Sequence, residues 1–258
     1  MLSLMVVTVV SAQPRTVGVA VGDWFKYGDI DSSWDSNVPN GTFPSPSVWE
    51  WYEEIAEREW LLLSVVAVSG TNVTGQVTMH YKNGTETVFD GFIDVDTGTD
   101  VNMTFMAISA NLNKNDVLYT SEDYSEYLIN ATVMREYPDS TRFTNHVNTT
   151  SSFNYTMPPD IEVYYSMSMN FYWDKATGIL VEQSFEWVYQ TEENFTEISM
   201  VTSITESNVW VIPEFPSFLI LPLFMIATLL TVIVYRKKAL CLIPLDFLFS
   251  YYLRKVLF

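Results

Sequence analysis

The chain has 258 residues, enough for one large domain or two small ones, and a composition of 48% hydrophobic and only 17% charged residues excludes a disordered chain. Its net charge of −18 is unevenly distributed, with 8 Lys and Arg against 30 Asp and Glu up to Glu214, and 5 against 1 beyond it. Because phosphate backbones repel an acidic body, nucleic acid is excluded as a partner.

The first residues predict an export signal. An apolar stretch from Leu2 to Val10 is followed by the small residues Ser11 and Ala12, a pattern that a signal peptidase cuts after Ala12. The basic residues that usually begin such a signal are missing, and an N-terminal β-strand is the alternative. We therefore expect a signal peptide, truncated at its start, at residues 1–12 and an exterior β-rich domain at residues 13–210.

One helix is predicted near the start of this domain. Ser47 and Glu50 match a capping box, in which the two side chains bond each other's backbone N–H groups at a helix start. Apolar residues recur at helical spacing over the same stretch: Val48, Trp51, Tyr52 and Ile55. The predicted helix, residues 47–58, is expected to lie across one face of a sheet.

Most of the remaining domain is predicted to form antiparallel strands. Alternating or β-branched runs are "EWLLLSVVAVSG", "GQVTMHYKNGTETVFDGFIDVDTG", "VNMTFMAISANL", "IEVYYSMSMNFYWD", "GILVEQSFEWVYQ" and "FTEISMVTSITES". The Asn83-Gly84 pair predicts a hairpin with Met79 opposite Val88, and residues 174–178 predict another turn. Residues 145–159, rich in Asn, Thr and Ser, are expected to be the most loop-like part. The expected fold is mainly β, an antiparallel curved sheet or sandwich with one short helix, plus a C-terminal transmembrane helix.

Asn-X-Ser/Thr sequons are more frequent than the composition predicts, and they favour an N-glycosylated exterior surface. They begin at Asn40, Asn72, Asn83, Asn102, Asn130, Asn148, Asn154 and Asn194. The alternative is a Thr-rich β-protein whose turns favour Asn. The lone cysteine, Cys241, lies beyond this domain, so the exterior domain is expected to fold without disulfides.

The C-terminal part predicts a membrane span. Residues 215–235 contain no charged residue, and as a helix they would extend about 31 Å, close to the roughly 30 Å of a bilayer's hydrocarbon core. Three cations follow directly: Arg236, Lys237 and Lys238. Because cationic flanks stay in the cytoplasm, we expect a single-pass protein in the cell membrane with its large domain outside. The lipid bilayer is thus an expected partner.

Two prolines lie at the start of the span, in the motif Pro213, Glu214, Phe215 and Pro216. This motif, the apolar run and "YRKK" together resemble archaeal C-terminal sorting signals of the PEF type. The domain itself resembles uncharacterised archaeal surface proteins in "GDWFKYGDI", "HYKNGTET", "AISANLNKNDVLY" and "YWDKATGILVE". The resemblance implies an exported surface protein processed by an archaeosortase-like enzyme, and it implies no activity. Residues 239–258, a hydrophobic tail, extend beyond the usual end of such signals.

No catalytic, cofactor or metal-binding motif is found in the sequence, so we expect a non-enzymatic protein without a cofactor. The acidic groups Asp29, Asp31 and Asp35 and Asp94, Asp96 and Asp100 are expected to be solvated turns, and His80 and His146 to be structural. The leading hypothesis is a membrane-anchored, glycosylated surface protein with a structural or interaction role, with other envelope proteins as partners. The alternative is a surface-tethered carrier that binds an apolar ligand in a groove of the curved sheet.

Overall fold

The computed structural model describes residues 14–210, except residues 125, 139 and 159, and describes only the backbone of Asp29. The strands are β1 (Trp24–Ser36), β2 (Arg58–Ser69), β3 (Asn72–Tyr81), β4 (Glu86–Asp94), β5 (Asp100–Val101), β6 (Ala131–Tyr137), β7 (Ser140–Met157), β8 (Ile161–Asp174), β9 (Leu180–Gln190) and β10 (Phe195–Ser207). The helices are α1 (Pro46–Ala56) and a short 3-10 helix, Glu122–Tyr124. All ten strands belong to one antiparallel sheet, so the predicted antiparallel β-fold with one α-helix is confirmed, as a single sheet rather than a sandwich.

The strand order in the sheet is β5-β4-β3-β2-β1-β10-β9-β8-β7-β6. Strands that are consecutive in the chain are neighbours in the sheet, except β5 and β6, which lie at its opposite edges. β1 and β10, the first and last strands, pair at the centre. The connection from β5 to β6, residues 102–130, is therefore the one that must run from one edge of the sheet to the other.

The predicted turn between β8 and β9 is confirmed. The carboxylate of Asp174 accepts hydrogen bonds from the backbone N–H and the hydroxyl of Thr177, at 3.3 and 3.0 Å. Gly178 follows with a φ of 76°, a backbone conformation that favours glycine. The predicted strands on either side match β8, β9 and β10 closely, because their apolar residues alternate at the period of a strand.

The β3–β4 hairpin is confirmed, but its predicted register is wrong by one residue. Met79 lies opposite Thr87 rather than Val88. The loop contains three residues, 82–84, and Gly84 has a φ of 81°. A type I turn followed by a left-handed residue is the usual geometry of such a three-residue loop, whereas the prediction assumed a two-residue turn.

The predicted helix is present, but the predicted capping box does not form. Ser45 has an extended backbone before the first turn, Pro46 is the first helical residue, and no side-chain cap hydrogen bond is made. Ser47 therefore lies inside the helix. Pro46 suits this position, because its fixed φ matches the helix and its missing N–H would have no partner in the first turn.

Residues 102–130, which we call the cover segment, begin where the sequence predicts a strand, and that prediction is wrong. Positive φ angles at Asn102 and Phe105 (58° and 60°) turn the chain out of the sheet directly after β5. Many of its apolar residues are nevertheless buried: Met103, Ala107, Ile108, Ala110, Leu112, Leu118, Tyr119 and Ile129. An irregular buried segment resembles a strand in sequence because both place apolar residues at short intervals.

Residues 145–159 are mostly strand β7, so the expected loop is also wrong. From residue 148 to residue 157 every residue of this strand is exposed or only partly buried, and a strand open to water needs no apolar alternation. Its many Thr residues suit a pleated surface because they are β-branched. β1 is not predicted by the sequence for a similar reason, since its exposed Asp31 and Asp35 resemble a solvated turn.

The cover segment and one face of the sheet form a common hydrophobic core. The indole N–H of Trp173 donates to the carbonyl of Phe105, and the hydroxyl of Tyr119 donates to the carbonyl of Ala107, both at 2.8 Å. Burial raises the pKa of Tyr119 above its ordinary value, so its hydroxyl stays protonated and keeps this bond. Trp210, three residues after β10, is also buried in the core.

The C-terminal predictions lie outside the described residues. These are the motif Pro213, Glu214, Phe215 and Pro216, the span at residues 215–235, and the cations Arg236, Lys237 and Lys238. Within residues 14–210 as described, no helix has the length and apolar character required to cross a membrane.

Gly178 provides a test of how the cover segment fits the sheet. A Cβ added at Gly178 would lie 2.1 Å from the carbonyl oxygen of Ile108, whereas at Gly84, which also has positive φ, nothing lies within 4 Å. We expect Gly84→Ala to lower the free energy of unfolding by about 1 kcal/mol, the cost of a left-handed alanine. Gly178→Ala should lose about 3 kcal/mol or more, because the cover segment must also shift. Thermal melts of both variants measure the difference, and equal losses would contradict it.

Candidate functional site: an aromatic and methionine strip

One face of the sheet, here called the inner face, contacts the cover segment. On this face Phe171 of β8 lies opposite Val147 of β7, and both are buried in the core. Side chains at every second position of a strand return to the same face, so Met169, Met167 and Tyr165 continue it along β8. The inner face therefore extends beyond the core as a band of apolar side chains.

Strand register arranges this band in rows, because residues directly opposite each other share a face. One row contains Trp34, Ile198, Trp187, Met167 and Ser151. The row nearer the core contains Ser32, Met200, Phe185, Met169 and Thr149, and the row farther from it contains Ser36, Thr196, Tyr189, Tyr165 and Phe153. We call the following set the aromatic–methionine strip: Phe153, Tyr155, Tyr165, Met167, Met169, Phe185, Trp187 and Tyr189.

α1 covers one end of these rows. The ring of Trp51 lies 4.4 Å from that of Trp187, and the ring of Trp49 lies 4.8 Å from that of Trp34, edge to face. Ile198, between Trp34 and Trp187 in its row, is only 1% exposed. The helix thus covers the strip on the β1 side. This position agrees with the expectation from the sequence that the helix lies across one face of the sheet.

The other end of the strip is open to water. Phe153 is 53% exposed, and its ring contacts that of Tyr165 at a centroid distance of 4.9 Å. Tyr165 contacts Tyr189 at 5.0 Å, and both are half-buried, as is Met167. The rings and thioethers are therefore contiguous and accessible, which is uncommon for a sheet face that continues a core.

A cleft of about 350 Å³ lies where the strip meets the cover segment. Tyr127 and Leu128 of the cover segment line one wall, and Met167, Met169 and Thr149 line the other. Ligand pockets in proteins typically have volumes of roughly 300–1,000 Å³. The cleft is at the lower end of that range, and the strip extends it along the sheet.

The strip is uncharged at neutral pH. Burial raises the pKa of Tyr155, Tyr165 and Tyr189 above the ordinary value, and the neighbouring tyrosines raise it further for Tyr165 and Tyr189. The pKa of Tyr189 is raised to about 12. The three hydroxyl groups are thus neutral and can donate hydrogen bonds to a polar end of a ligand.

Three polar atoms of the inner face are buried without a hydrogen-bond partner among the described residues. They are the indole nitrogens of Trp34 and Trp187, beside α1, and the hydroxyl of Thr149, which lines the cleft. A buried donor left unpaired costs about 1–3 kcal/mol. This part of the inner face is therefore covered without every buried polar group being paired.

A second cavity, of about 330 Å³, lies beside the turn between β8 and β9. Arg142 there pairs with the buried carboxylate of Asp174 at 2.7 Å, and Lys175 donates to Asn113 at 2.8 Å. Each charged group that lines this cavity already has a protein partner. It is consequently less suited than the strip to bind a ligand.

The predicted acidic groups do not assemble into a metal site. Asp94 accepts a hydrogen bond from the backbone N–H of Asp96 at 2.9 Å, and Asp96 lies 3.8 Å from Arg15, so this group forms the expected turn. Asp31 and Asp35 are exposed on strand β1 rather than in a turn. Within the part of the chain that the structure describes, no three potential ligands come together.

The two histidines lie on different strands, each against an aromatic ring. His80 on β3 stacks on Trp60 at 4.7 Å, and its two ring nitrogens lie 3.1 Å from Glu86 and 3.4 Å from Glu59. His146 on β7 stacks on Tyr172 at 4.4 Å. Both positions are consistent with the expected structural role.

The sequon asparagines are spread over the domain. Seven are exposed, at Asn40, Asn72, Asn83, Asn102, Asn130, Asn148 and Asn154, and Asn194 is half-buried. Asn83 lies in the hairpin loop, where its side-chain oxygen accepts a bond from Thr85. The side-chain nitrogen of Asn102 donates to the carbonyl of Asp90 at 3.0 Å, so a glycan there would replace a hydrogen bond. Exposure is compatible with glycosylation, which stays a prediction.

The strip is not identified by the sequence alone, although a signal for it exists. Tyr165, Met167, Met169, Phe171 and Trp173 alternate along β8, which indicates one apolar face but not whether that face is covered. Coverage depends on the cover segment and α1, which the sequence does not position.

No protein-family model matches the chain, and no curated protein matches it.

The tyrosines of the strip lead to a pH prediction. Because the folded-state pKa of Tyr189 is about 12 and the unfolded value is about 10, its contribution to stability is complete below pH 10 and is lost as the pH rises towards 12. In Tyr189→Phe the free energy of unfolding should therefore fall less steeply with pH than in the wild type, by up to about 1.4 kcal/mol per pH unit. Urea unfolding between pH 9 and 12 measures it. Tyr164→Phe, on the opposite face, is the control, and an equal effect there would contradict the assignment.

Proposed function

We propose that residues 13–210 form a binding domain for a single apolar chain, such as the acyl or isoprenoid chain of a lipid. The observation that carries the proposal is the aromatic–methionine strip, which continues the inner face beyond the core, is only partly buried, and ends at the exposed Phe153. Apolar surface gains about 25 cal/mol for each Å² removed from water. A contiguous open patch of this kind is typical of a binding surface.

The chemistry of the strip fits a long, uncharged ligand. Met167 and Met169 are flexible enough to follow an irregular chain, and the aromatic rings supply large apolar area at fixed positions. Each CH₂ group that the strip and its cleft bury contributes about 0.8 kcal/mol. The neutral hydroxyl groups of Tyr155, Tyr165 and Tyr189 are available for a polar head group, whereas the strip offers no charge for an ionic one.

α1 is the element that adjusts to the ligand. Among its residues only Ile55 is buried, and its first turn has no side-chain cap. It lies over the unpaired indole nitrogens of Trp34 and Trp187. A movement of the helix would let these groups reach water or a ligand, which offsets part of the cost of the movement.

The domain functions outside a cell membrane in this proposal, tethered through residues 211–238 and N-glycosylated. The support comes from the sequence: the apolar run, the cations that follow it, the exposed sequons and the resemblance to archaeal sorting signals. Processing by an archaeosortase-like enzyme at Pro213, Glu214, Phe215 and Pro216 belongs to the same proposal.

A structural or interaction role without a ligand is the second candidate. The observation in its favour is the cover segment, which already fills the inner face between β5 and β6 as a hydrophobic core would. Other envelope proteins would then be the partners, and the strip would be one of their contact surfaces. Ligand binding separates the two candidates.

The binding proposal predicts that residues 13–210 take up an apolar chain. The fragment must include Trp210, which is buried in the core. We expect a dansyl-labelled undecyl alcohol, which carries no carboxylate, to gain fluorescence on binding, and Tyr165→Ala to weaken its affinity roughly 10- to 100-fold, because a buried aromatic ring contributes about 1.5–3 kcal/mol.

Tyr164→Ala is the matched control, since Tyr164 neighbours Tyr165 but lies on the opposite face and is 43% exposed. It should change the affinity less than threefold. Thermal melts establish that both variants fold. Absence of binding by the folded wild-type fragment, or equal losses in the two variants, would favour the role without a ligand.

The tether predicts a particular C-terminus in the native membrane. If the motif is processed, mass spectrometry of the mature protein should find a terminus near Phe215. Replacing both Pro213 and Phe215 by Ala should abolish this processing. Recovery of peptides from residues 238–258 in full amount would show instead that the span is retained and that the sorting proposal is wrong.

A further inference from the structure

Strand β7 extends beyond β6, its neighbour on one side. β8 pairs with β7 from Thr144 to Met157, but β6 pairs only with residues 140–146. The last bond on the β6 side runs from the backbone N–H of Asn148 to the side-chain oxygen of Asn130, at 2.6 Å. Among the described residues, no backbone hydrogen bond from another strand reaches that side of residues 149–157. We call this side the free β7 edge.

The free β7 edge lacks the features that usually prevent edge pairing. Residues 147–157 contain no charged residue and no proline, and the β7–β8 register shows no bulge. Phe153, near the middle of the edge, is 53% exposed. A long, flat and uncharged strand edge presents unpaired N–H and C=O groups and is a template for another strand.

The other edges of the sheet are protected. β5 has only two residues, the part of β4 that β5 leaves unpaired (residues 86–91) contains two acidic residues, and β6 has Arg135 and Glu136. β1 pairs with β2 only at residues 24–27, which leaves a second free edge at its far end, but exposed Asp31 and Asp35 lie along it. Short length and charge are the usual means of blocking an edge. The free β7 edge therefore differs from these edges, because it is neither short nor charged.

We infer that the free β7 edge pairs antiparallel with the same edge of a second copy of this chain, about a two-fold axis at Phe153. The edge is self-complementary, because pairing with itself brings no like charges together although the domain as a whole is acidic. Pairing of β7 with the free end of β1 would repeat without closure, and the two aspartates oppose it. A two-fold pair closes the assembly at two copies.

The geometry of an antiparallel pair restricts where the axis lies. Only every second residue of β7 directs its backbone N–H and C=O groups towards the free edge, and the same residues do so in the second copy. Hydrogen-bonded partners are therefore both even-numbered or both odd-numbered, so the residue at the two-fold axis lies opposite itself. With the axis at Phe153, this exposed ring meets its own copy, and Ser151 lies opposite Tyr155. Aromatic cross-strand pairs of this kind contribute roughly 0.2–1 kcal/mol each.

The two sequons on β7 are compatible with this pair. Asn148 and Asn154 lie at even positions, on the face opposite Phe153, so a glycan there projects from the outer face and not from the edge. The inference does not depend on the ligand-binding proposal, because it rests on the backbone edge rather than on the strip.

The test uses the full chain with two different tags, produced in the same cells, and measures how much of one tag is captured with the other. Phe153→Lys places two like charges opposite each other, and so does Phe153→Glu. We expect wild-type copies to co-purify and each variant to co-purify with itself at least fivefold less. A mixture of the Lys and Glu variants should recover the capture, because opposite charges then meet.

A second measurement locates the contact. In a Cys241→Ser background, Phe153→Cys should form a disulfide between copies, since directly opposite residues have Cα atoms about 4.5–5.5 Å apart. Ser33→Cys, exposed on β1, is the control and should not. Thermal melts verify folding. Monomeric wild-type protein, equal capture in all charge combinations, or cross-linking of Phe153→Cys to another protein would each overturn the inference.

Discussion

A single sheet cannot cover its own apolar face, and this constraint determines how the rest of the domain is arranged. The strands provide the inner face, and residues between strands must exclude water from it. The cover segment does so near β5 and β6, where Trp173 and Tyr119 bond its backbone and fix its position. α1 excludes water from the inner face near Trp34 and Trp187, but it has fewer buried residues and its first turn has no side-chain cap. The face between these two elements remains partly open, and it is there that a ligand or partner gains most from binding.

The same constraint explains which parts of the fold were predictable. β8 and β10 alternate between a covered and a solvated face, so their period identifies them from sequence. The far ends of β7 and β1 lie beyond the cover segment and contain mostly polar residues, so they resemble loops in sequence. The cover segment gives the opposite error. It is irregular, but it contains buried apolar residues such as Met103 and Ile108, so its sequence resembles that of a strand. Errors of prediction thus concentrate where a segment's burial is set by distant residues.

The candidate site was less predictable than the fold, for a related reason. Each ring of the strip appears in sequence as an ordinary core residue. What makes the strip a site is incomplete coverage, which depends on the length of α1 and on where the cover segment ends. Neither quantity follows from periodicity or composition. The hairpin register shows the same limit on a smaller scale, since one extra loop residue, Lys82, shifts all pairs of β3 and β4 by one.

The open strip and the free β7 edge meet at Phe153, which belongs to both. This residue points to the inner face from an edge strand, so its exposure reflects two missing neighbours: a covering layer above it and a strand beside it. A second copy supplies the strand but not the layer. Pairing would therefore leave the rings of Tyr165 and Tyr189 open while placing two strips next to each other across the two-fold axis. The combined apolar surface would be wider than either strip alone, so dimerisation and binding of an apolar chain reinforce each other without either requiring the other.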